Sequence, residues 1–283
     1  MKIKILADSV CDLPENLIAK HDVRIIPLSI SAGYEVFQDG INISQKEIFE
    51  FVESGKGMCR TSAVNVAEYT DIYNEERPKC DAILHFTISS EMSACYQNAR
   101  LAAEEFENIH VVDTRNLSSA VGHLVLDAAE MITQGMAAPE IYEEILRRIP
   151  LLDAGFVIDT LKYLHKGGRC TAIQALASSM LKIKPCIAVQ DGKMLPTKKY
   201  RGKTDSVLQS YIKDKLSTDS DSIDTRRIVV VHTMDDNNRA LVDAAKAQIA
   251  EILPFDEVIE ATAGGTISCH CGPNTLGIMF FRK

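Results

Sequence analysis

Short apolar runs alternate along this chain with longer stretches in which apolar residues recur at helical spacing. Such alternation is typical of α/β folds. Most of the runs are continuous rather than polar at every second residue, so we expect strands that are buried on both faces. The predicted strands are residues 2–8, 24–30, 81–88, 110–114, 155–160, 185–189, 227–233, 257–263 and 277–282.

Several helix and turn boundaries can also be predicted from side-chain chemistry. Ser44 is followed three residues later by Glu47, which is the spacing of a capping box, and Asn65 has the same relation to Glu68. The segment 190–193, with an Asp-Gly pair at its tip, predicts a two-residue hairpin turn. The polar stretch 217–227 predicts an exposed loop.

The length of 283 residues and the hydrophobic content of 46% allow one large core or two smaller ones. Two helical patterns follow each other over residues 116–135 and 138–152, and the strand-helix alternation restarts after them. We therefore expect an α/β protein of two domains, residues 1–153 and residues 154–283.

Charge and composition exclude several classes of partner. A formal net charge of -8 argues against nucleic acid or an anionic membrane as the main partner, so at most transient membrane contact is expected. No apolar run approaches the roughly 18 to 20 residues that span a bilayer, and charge appears too early in the amino-terminal segment for a signal peptide. Eight cysteines without a CxxC pair fit reduced thiols. These features predict a cytoplasmic protein.

Common catalytic and metal-binding signatures are missing or incomplete. No GxGxxG follows a strand, no GxSxG occurs, and the segment RGKT at 201–204 lacks the first glycine of a phosphate-binding loop. The segment SMLK at 179–182 matches SxxK without its partner motifs, and CHC at 269–271 offers too few ligands for zinc. We therefore expect neither a metal site nor a bound cofactor.

Small hydroxyl side chains collect at two predicted strand-to-helix junctions. Thr61 and Ser62 precede a helix that Asn65 already caps. After the strand that ends at residue 88, Ser89 or Ser90 can cap the next helix, which leaves Ser93 free about one turn inside it. Surplus hydroxyls at a helix start favour an anion, while the alternative is that each of them only caps.

Two further turns carry candidate functional side chains. The segment HKGGR at 165–169 has a glycine pair that permits a tight turn with positive φ, from which Arg169 projects. The segment CHCGPNTLG at 269–277 describes a rigid turn that carries His270. The alternatives are an ordinary solvated turn in the first case and a structural histidine in the second.

Seven motifs, in order from end to end of the chain, resemble one known family. They are ADSVCDLP, TSAV, ISSEMSACYQNA, VVDTRNLSSAVGHLV, YLHKGGR, IKPCIAVQDGKM and HCGPNTLG. On these motifs the chain resembles the DegV family of bacterial lipid-binding proteins, which includes the fatty-acid-binding subunit of fatty acid kinase.

The resemblance implies a two-domain α/β protein with a ligand cleft at the domain interface. It implies that a long-chain fatty acid is buried with its carboxyl head near the domain interface. Because Ser62 and Ser93 fall in the first half of the chain and His270 in the second, we expect the tail to lie in the amino-terminal domain. Matched motif by motif, the head-group ligands would be Thr61, Ser62, Ser93 and His270. Ala94 and Cys271 stand where the family usually has Gly and Thr, which bears on acyl preference.

The resemblance also implies a partner. Similar proteins present the carboxyl head to a separate ATP-binding kinase subunit, which makes an acyl phosphate for phospholipid synthesis. Arg169 and Arg201 belong to a local excess of basic residues that we expect to dock this kinase. Two alternatives stay open: a stand-alone hydrolase with Ser93 as nucleophile and His270 as base, and a module that sequesters lipid without any kinase.

Overall fold

A computed structural model describes residues 2–170, 172–173 and 183–283, and these residues form a mixed α/β structure with three β-sheets. The SxxK match at 179–182 lies outside the described residues. The strands are β1 Ile3–Asp8, β2 Arg24–Ile26, β3 Ser29–Ala32, β4 Glu35–Gln38, β5 Arg60–Ser62, β6 Ala82–Thr87, β7 Ile109–Asp113, β8 Leu152–Val157, β9 Lys184–Gln190, β10 Lys193–Tyr200, β11 Ile223–His232, β12 Glu257–Thr262 and β13 Leu276–Arg282. The helices are α1 Glu15–Lys20, α2 Gln45–Glu53, α3 Val66–Glu76, α4 Cys95–Ala103, α5 Ser119–Thr133, α6 Ala138–Arg148, α7 Lys162–Gly167, α8 Thr204–Ser217, α9 Arg239–Ile252 and α10 Gly265–Cys271.

The first sheet is parallel and has the strand order β2-β1-β6-β7. Every residue of β6 is buried, as its continuous apolar sequence predicts for a strand covered on both faces. The capping boxes predicted at Ser44 and Asn65 are confirmed, since each side chain accepts the N3 amide at the start of α2 or α3.

A second, small sheet is antiparallel and has the order β4-β3-β5. Its strands come from the part of the chain between β2 and β6. The prediction of one strand over residues 24–30 is wrong, because the segment divides into β2 and β3, which belong to different sheets. Pro27 lies at the break. Since proline has no backbone N–H to donate to a sheet, it separates the two strands.

The third sheet has six strands in the order β10-β9-β8-β13-β11-β12. Within this sheet, β11 and β12 pair in parallel. The predicted hairpin turn is confirmed: Asp191 and Gly192 join β9 to β10 with φ values of +48° and +79°. The exposed loop predicted at 217–227 is wrong over much of its length, because α8 continues to Ser217 and β11 begins at Ile223.

The core runs without interruption from the parallel sheet to the six-stranded sheet. Helix α5 is apolar over most of its length and contacts β1 and β6 as well as β11 and β13. Helix α10 comes from the six-stranded half of the chain but packs against α2, β3 and β5. This packing places α10 at the seam between the sheets, where the predicted ligand residues lie.

Among the helices of the described ranges, we find none that has both the length and the apolar character needed to cross a membrane.

Candidate ligand-binding site

A cavity at this seam brings together all four predicted head-group residues. It is a narrow, partly open cavity of about 50 Å³. Its polar lining is Thr61, Ser62, Ser93, Arg169, Thr266 and His270. Its apolar lining is Leu28, Ala63, Ile88, Met92, Leu117, Met194, Ile267 and Cys271. An apolar cavity with a few convergent polar groups suits a ligand that is itself apolar with a polar end.

Strand β5 positions the first two hydroxyls. It pairs with β3, which places Thr61 opposite Ile30 and Ser62 opposite Ser29. Asn65 supplies the cap of α3, as predicted, so neither hydroxyl is needed for that task. The Thr61 Oγ1 atom lies 2.9 Å from His270 Nε2, a hydrogen bond that joins β5 to α10.

Ser93 reaches the cavity by a different route from the one predicted. Helix α4 begins at Cys95, so Ser93 lies just before the helix and neither Ser89 nor Ser90 caps it. Ser89 instead donates to the Gly192 carbonyl, and Ser90 donates to Asp113, because residues 89–93 first make a turn closed by the Ser93 amide and the Ser89 carbonyl. The prediction of these caps is wrong, but Ser93 still lines the cavity.

The hydroxyl of Ser93 has a weak partner. It donates to Cys95 Sγ at 3.1 Å and accepts the Cys95 amide at 3.3 Å. A thiol sulfur is a poor acceptor compared with a carboxylate oxygen. The hydroxyl can therefore give up its hydrogen bond to the sulfur and donate to a ligand carboxylate instead, with little loss of free energy.

The pKa of His270 departs strongly from its usual value. Burial, with a smaller effect of the Arg169 cation, lowers the pKa of His270 to about 4, so the imidazole is uncharged at neutral pH. Its Nδ1 atom is buried and has no hydrogen-bond partner within the described ranges. Its Nε2 atom bonds to Thr61 rather than to Ser93, which is not the pairing that the hydrolase alternative requires.

Helix α7 packs its last residue directly on this imidazole. A Cβ atom on Gly167 would overlap His270 Nδ1. Gly168 then ends the helix in the left-handed conformation, with φ of +71°. The tight turn with positive φ that this glycine pair was predicted to permit is found at Gly168, whereas Gly167 is helical and is required for close approach.

Two aspartates that the sequence analysis did not single out hold the amino end of α10. Asp39 accepts the amides of Gly265 at 2.7 Å and Thr266 at 3.1 Å, and it also accepts the hydroxyl of Ser9 at 2.8 Å. Asp12 accepts the Gly264 amide at 2.8 Å. The contacts to the three amides connect residues more than 200 positions apart, so no local pattern indicates them. Asp12 does stand in the quoted motif ADSVCDLP, which was the one signal available.

The carboxyl group of Asp12 is buried. Burial raises the pKa of Asp12 to about 8, although hydrogen bonds from Ser118 and Gly264 act in the opposite direction. The carboxyl oxygen that faces Ser118 lies 2.5 Å from its hydroxyl. Asp12 thereby links the start of α5 to the start of α10.

A solvent-open cleft lies on the outer side of His270. It shares Thr61, Ser62, Arg169 and His270 with the cavity, and it is also lined by the cations Arg60, Lys162 and Lys166. Arg169 is exposed and donates to the Gly167 carbonyl at 2.8 Å. Arg201 is exposed where β10 leads into α8 and is not among the described residues that line this cleft.

Comparison with known proteins identifies the family of this chain. A family model described as "Uncharacterised protein, DegV family" matches residues 2–283. The chain belongs to the DegV family. Among curated DegV relatives, a fatty acid-binding protein from Thermotoga maritima is 30% identical over 288 residues, covering 98% of this chain and 96% of the relative. Protein DegV of Bacillus subtilis is 27% identical over 286 residues, covering both chains completely.

Solved DegV structures share the fold over the whole chain. A DegV family protein from Thermus thermophilus, described by its fatty acid binding, superimposes with a TM-score of 0.91 at 28% identity and full coverage of both chains. DegV from Bacillus subtilis, described as a fatty acid binding protein, gives a TM-score of 0.86 at 26% identity, again with full coverage. The predicted family and the predicted α/β fold class are confirmed.

Proposed function

We propose that this protein binds a long-chain fatty acid in the cavity at the seam and presents its carboxyl group at the cleft. The observation that carries the proposal is an apolar cavity that ends in hydroxyls and an imidazole from separate elements, namely β5, the turn before α4, and α10. The relatives that are named for fatty acid binding support the same ligand class.

The energetics are favourable for such a ligand. An acyl chain of about 16 carbons gains on the order of ten kcal/mol when it leaves water, at roughly 0.8 kcal/mol per methylene. A carboxyl group drawn in with the chain loses its hydration and needs hydrogen bonds in return. Thr61, Ser62, Ser93 and His270 can supply them as uncharged groups, beside the Arg169 cation that also lines the cavity.

The proposal keeps the predicted division of the chain at residue 153. The tail lies in the amino-terminal domain, residues 1–153, where Leu28, Ile88 and Leu117 supply apolar lining, and the head lies at the seam with residues 154–283. His270 supports this arrangement, because it belongs to the second half of the chain yet bonds to Thr61 of the first half.

The proposed role is that of the substrate-binding subunit of a cytoplasmic fatty acid kinase system, which makes acyl phosphate for phospholipid synthesis. A separate ATP-dependent kinase subunit would approach through the open cleft, next to the carboxyl head. The cations that line this cleft support the idea, because they can steer an acidic partner surface or neutralise a developing phosphate. Lys198, which belongs to the same run of basic residues as Arg201, is paired with Asp214 at 2.5 Å.

Organic extraction of the purified protein followed by mass spectrometry tests the ligand. We expect close to one equivalent of a long-chain fatty acid, and an extract without any would contradict the proposal.

A double substitution, Arg169→Ala with Arg201→Ala, tests the kinase step. We expect unchanged fatty acid content but slower kinase-dependent formation of acyl phosphate, and added salt should slow the wild type in the same way. Loss of lipid from the variant, or full activity with the kinase, would show that these arginines do not dock the partner.

A further inference from the structure

Thr266 has a buried side chain in the cavity. Its hydroxyl has no role in the described part of the fold or in the proposed head-group site. Thr266 is 3% exposed and lines the cavity. Its Oγ1 atom has no hydrogen-bond partner in the part of the chain that the structure describes. A buried hydroxyl without a partner is unfavourable, so the group calls for an explanation.

The backbone of Thr266 is firmly placed. Its amide donates to Asp39 at 3.1 Å, in the first turn of α10. Most of the other residues that line the cavity are apolar, among them Leu28, Leu117 and Ile267. The side chain therefore brings a hydrogen-bonding group to a part of the wall that is otherwise suited to hydrocarbon.

Helix geometry fixes where this hydroxyl lies relative to the head-group site. Thr266 precedes His270 by four residues, so the two side chains lie on one face of α10, about 5–6 Å apart. His270 lines both the cavity and the open cleft, whereas Thr266 lines the cavity alone. Thr266 is thus the inner of the two groups, beside the first carbons of a chain whose carboxyl lies at His270.

We propose that Thr266 makes this cavity selective for a fatty acid that carries a hydroxyl group close to its carboxyl end, such as a β-hydroxy fatty acid. This inference rests on the proposed function, because it assumes a carboxyl head at His270. A ligand hydroxyl supplies the partner that Thr266 lacks, while an unsubstituted acyl chain leaves the Thr266 hydroxyl unpaired.

Binding measurements on the delipidated full chain test the proposal. The dissociation constants of hexadecanoic acid and of its β-hydroxy derivative are compared in the wild type, in Thr266→Val, and in Thr262→Val as a control. Valine keeps the shape of threonine but lacks its hydroxyl, and Thr262 is an exposed residue of β12 that does not line the cavity.

In the wild type and the control, we expect the hydroxy acid to bind about three- to tenfold more tightly than the plain acid. Thr266→Val should abolish or invert this preference while it preserves binding of the plain acid. Equal weakening of both acids by Thr266→Val, or an unchanged ratio, would overturn the selectivity. If the wild type binds neither acid, the proposed function itself fails; if it binds the plain acid without preferring the hydroxy acid, only the role of Thr266 fails.

Discussion

The two ends of α10 differ in how their polar groups are satisfied. At the amino end, the amides of Gly264, Gly265 and Thr266 all donate to carboxyl groups from the first 40 residues of the chain. Toward the carboxyl end, His270 bonds to Thr61 through one nitrogen and leaves the other without a partner in the described structure.

This difference separates polar groups that maintain the fold from polar groups that are available to a ligand. Buried groups in native proteins are nearly always paired, so the paired carboxyl groups at one end indicate a structural anchor. The incompletely satisfied hydroxyls and imidazole that face the cavity indicate a binding site. The anchor and the site lie on one short helix, so the anchor sets the position of His270.

The largest expected effect comes from removal of the anchor. Asp39→Ala leaves two buried amides and the Ser9 hydroxyl without their acceptor, so we expect the free energy of unfolding to fall by about 3 to 5 kcal/mol. Urea denaturation measures this change. Asp39→Asn serves as the control, because it keeps one acceptor oxygen and should lose less. A loss below about 1 kcal/mol for the alanine variant would show that the anchor is not structural.

Substitutions in the cavity should have the opposite profile, with binding lost and the fold retained. Ser93→Ala and His270→Ala each remove one hydrogen bond to a charged group, so we expect fatty acid affinity to fall about ten- to a hundredfold. Ser90→Ala is a matched control, since Ser90 bonds to Asp113 and does not line the cavity. Titration calorimetry and thermal unfolding distinguish the two effects. Unchanged dissociation constants for both cavity variants would assign these residues to the fold alone.

The pKa of His270 provides a test of its burial. The folded state holds this pKa near 4, below the usual 6.5, so between these pH values the unfolded chain binds a proton that the folded chain does not. Stability from this group is therefore present above pH 6.5 and is lost as the pH falls toward 4. His270→Asn lacks the titration, so we expect the stability of the wild type relative to this variant to decrease by on the order of 2 kcal/mol over that range. A difference that is independent of pH would mean that the histidine is not buried in solution.

A smaller effect is expected where α7 contacts the imidazole. Gly167→Ala introduces a Cβ atom that overlaps His270 Nδ1, so the ring must shift and fatty acid affinity should fall by about tenfold or less. Gly168→Ala is the control, because its Cβ atom meets nothing within 4 Å although its φ of +71° strains the backbone. Equal loss of affinity in the two variants would assign the effect to backbone strain rather than to contact with His270.

The sequence predicted the local features of this molecule better than the long-range ones. Continuous apolar runs located β1, β6, β7 and β9 to within about two residues, because burial on both faces leaves a strong local pattern. The short polar strand β5 was missed, since the three residues Arg60–Ser62 carry no such pattern. Strand β10 was missed because its sequence, KMLPTKKY, is largely polar and contains a proline.

The same contrast between local and long-range features holds for the candidate site. Motif resemblance named Thr61, Ser62, Ser93 and His270, and the structure brings all four to one cavity. It did not name Asp39, whose amide partners lie 226 and 227 residues away, because a contact of that kind arises from topology and has no local signature. Thr266 was missed for a related reason: its single hydroxyl becomes informative only once its burial and its lack of a partner among the described residues are known.

The most direct test of the account is a crystal structure of the protein with a bound long-chain fatty acid. We predict that the carboxyl group lies within hydrogen-bond distance of Ser93 Oγ and of the Thr61–His270 pair, with the acyl chain running inward past Thr266 among Leu28, Ile88 and Leu117. Electron density for the ligand wholly within residues 154–283, or a carboxyl group that contacts neither Ser93 nor His270, would contradict it.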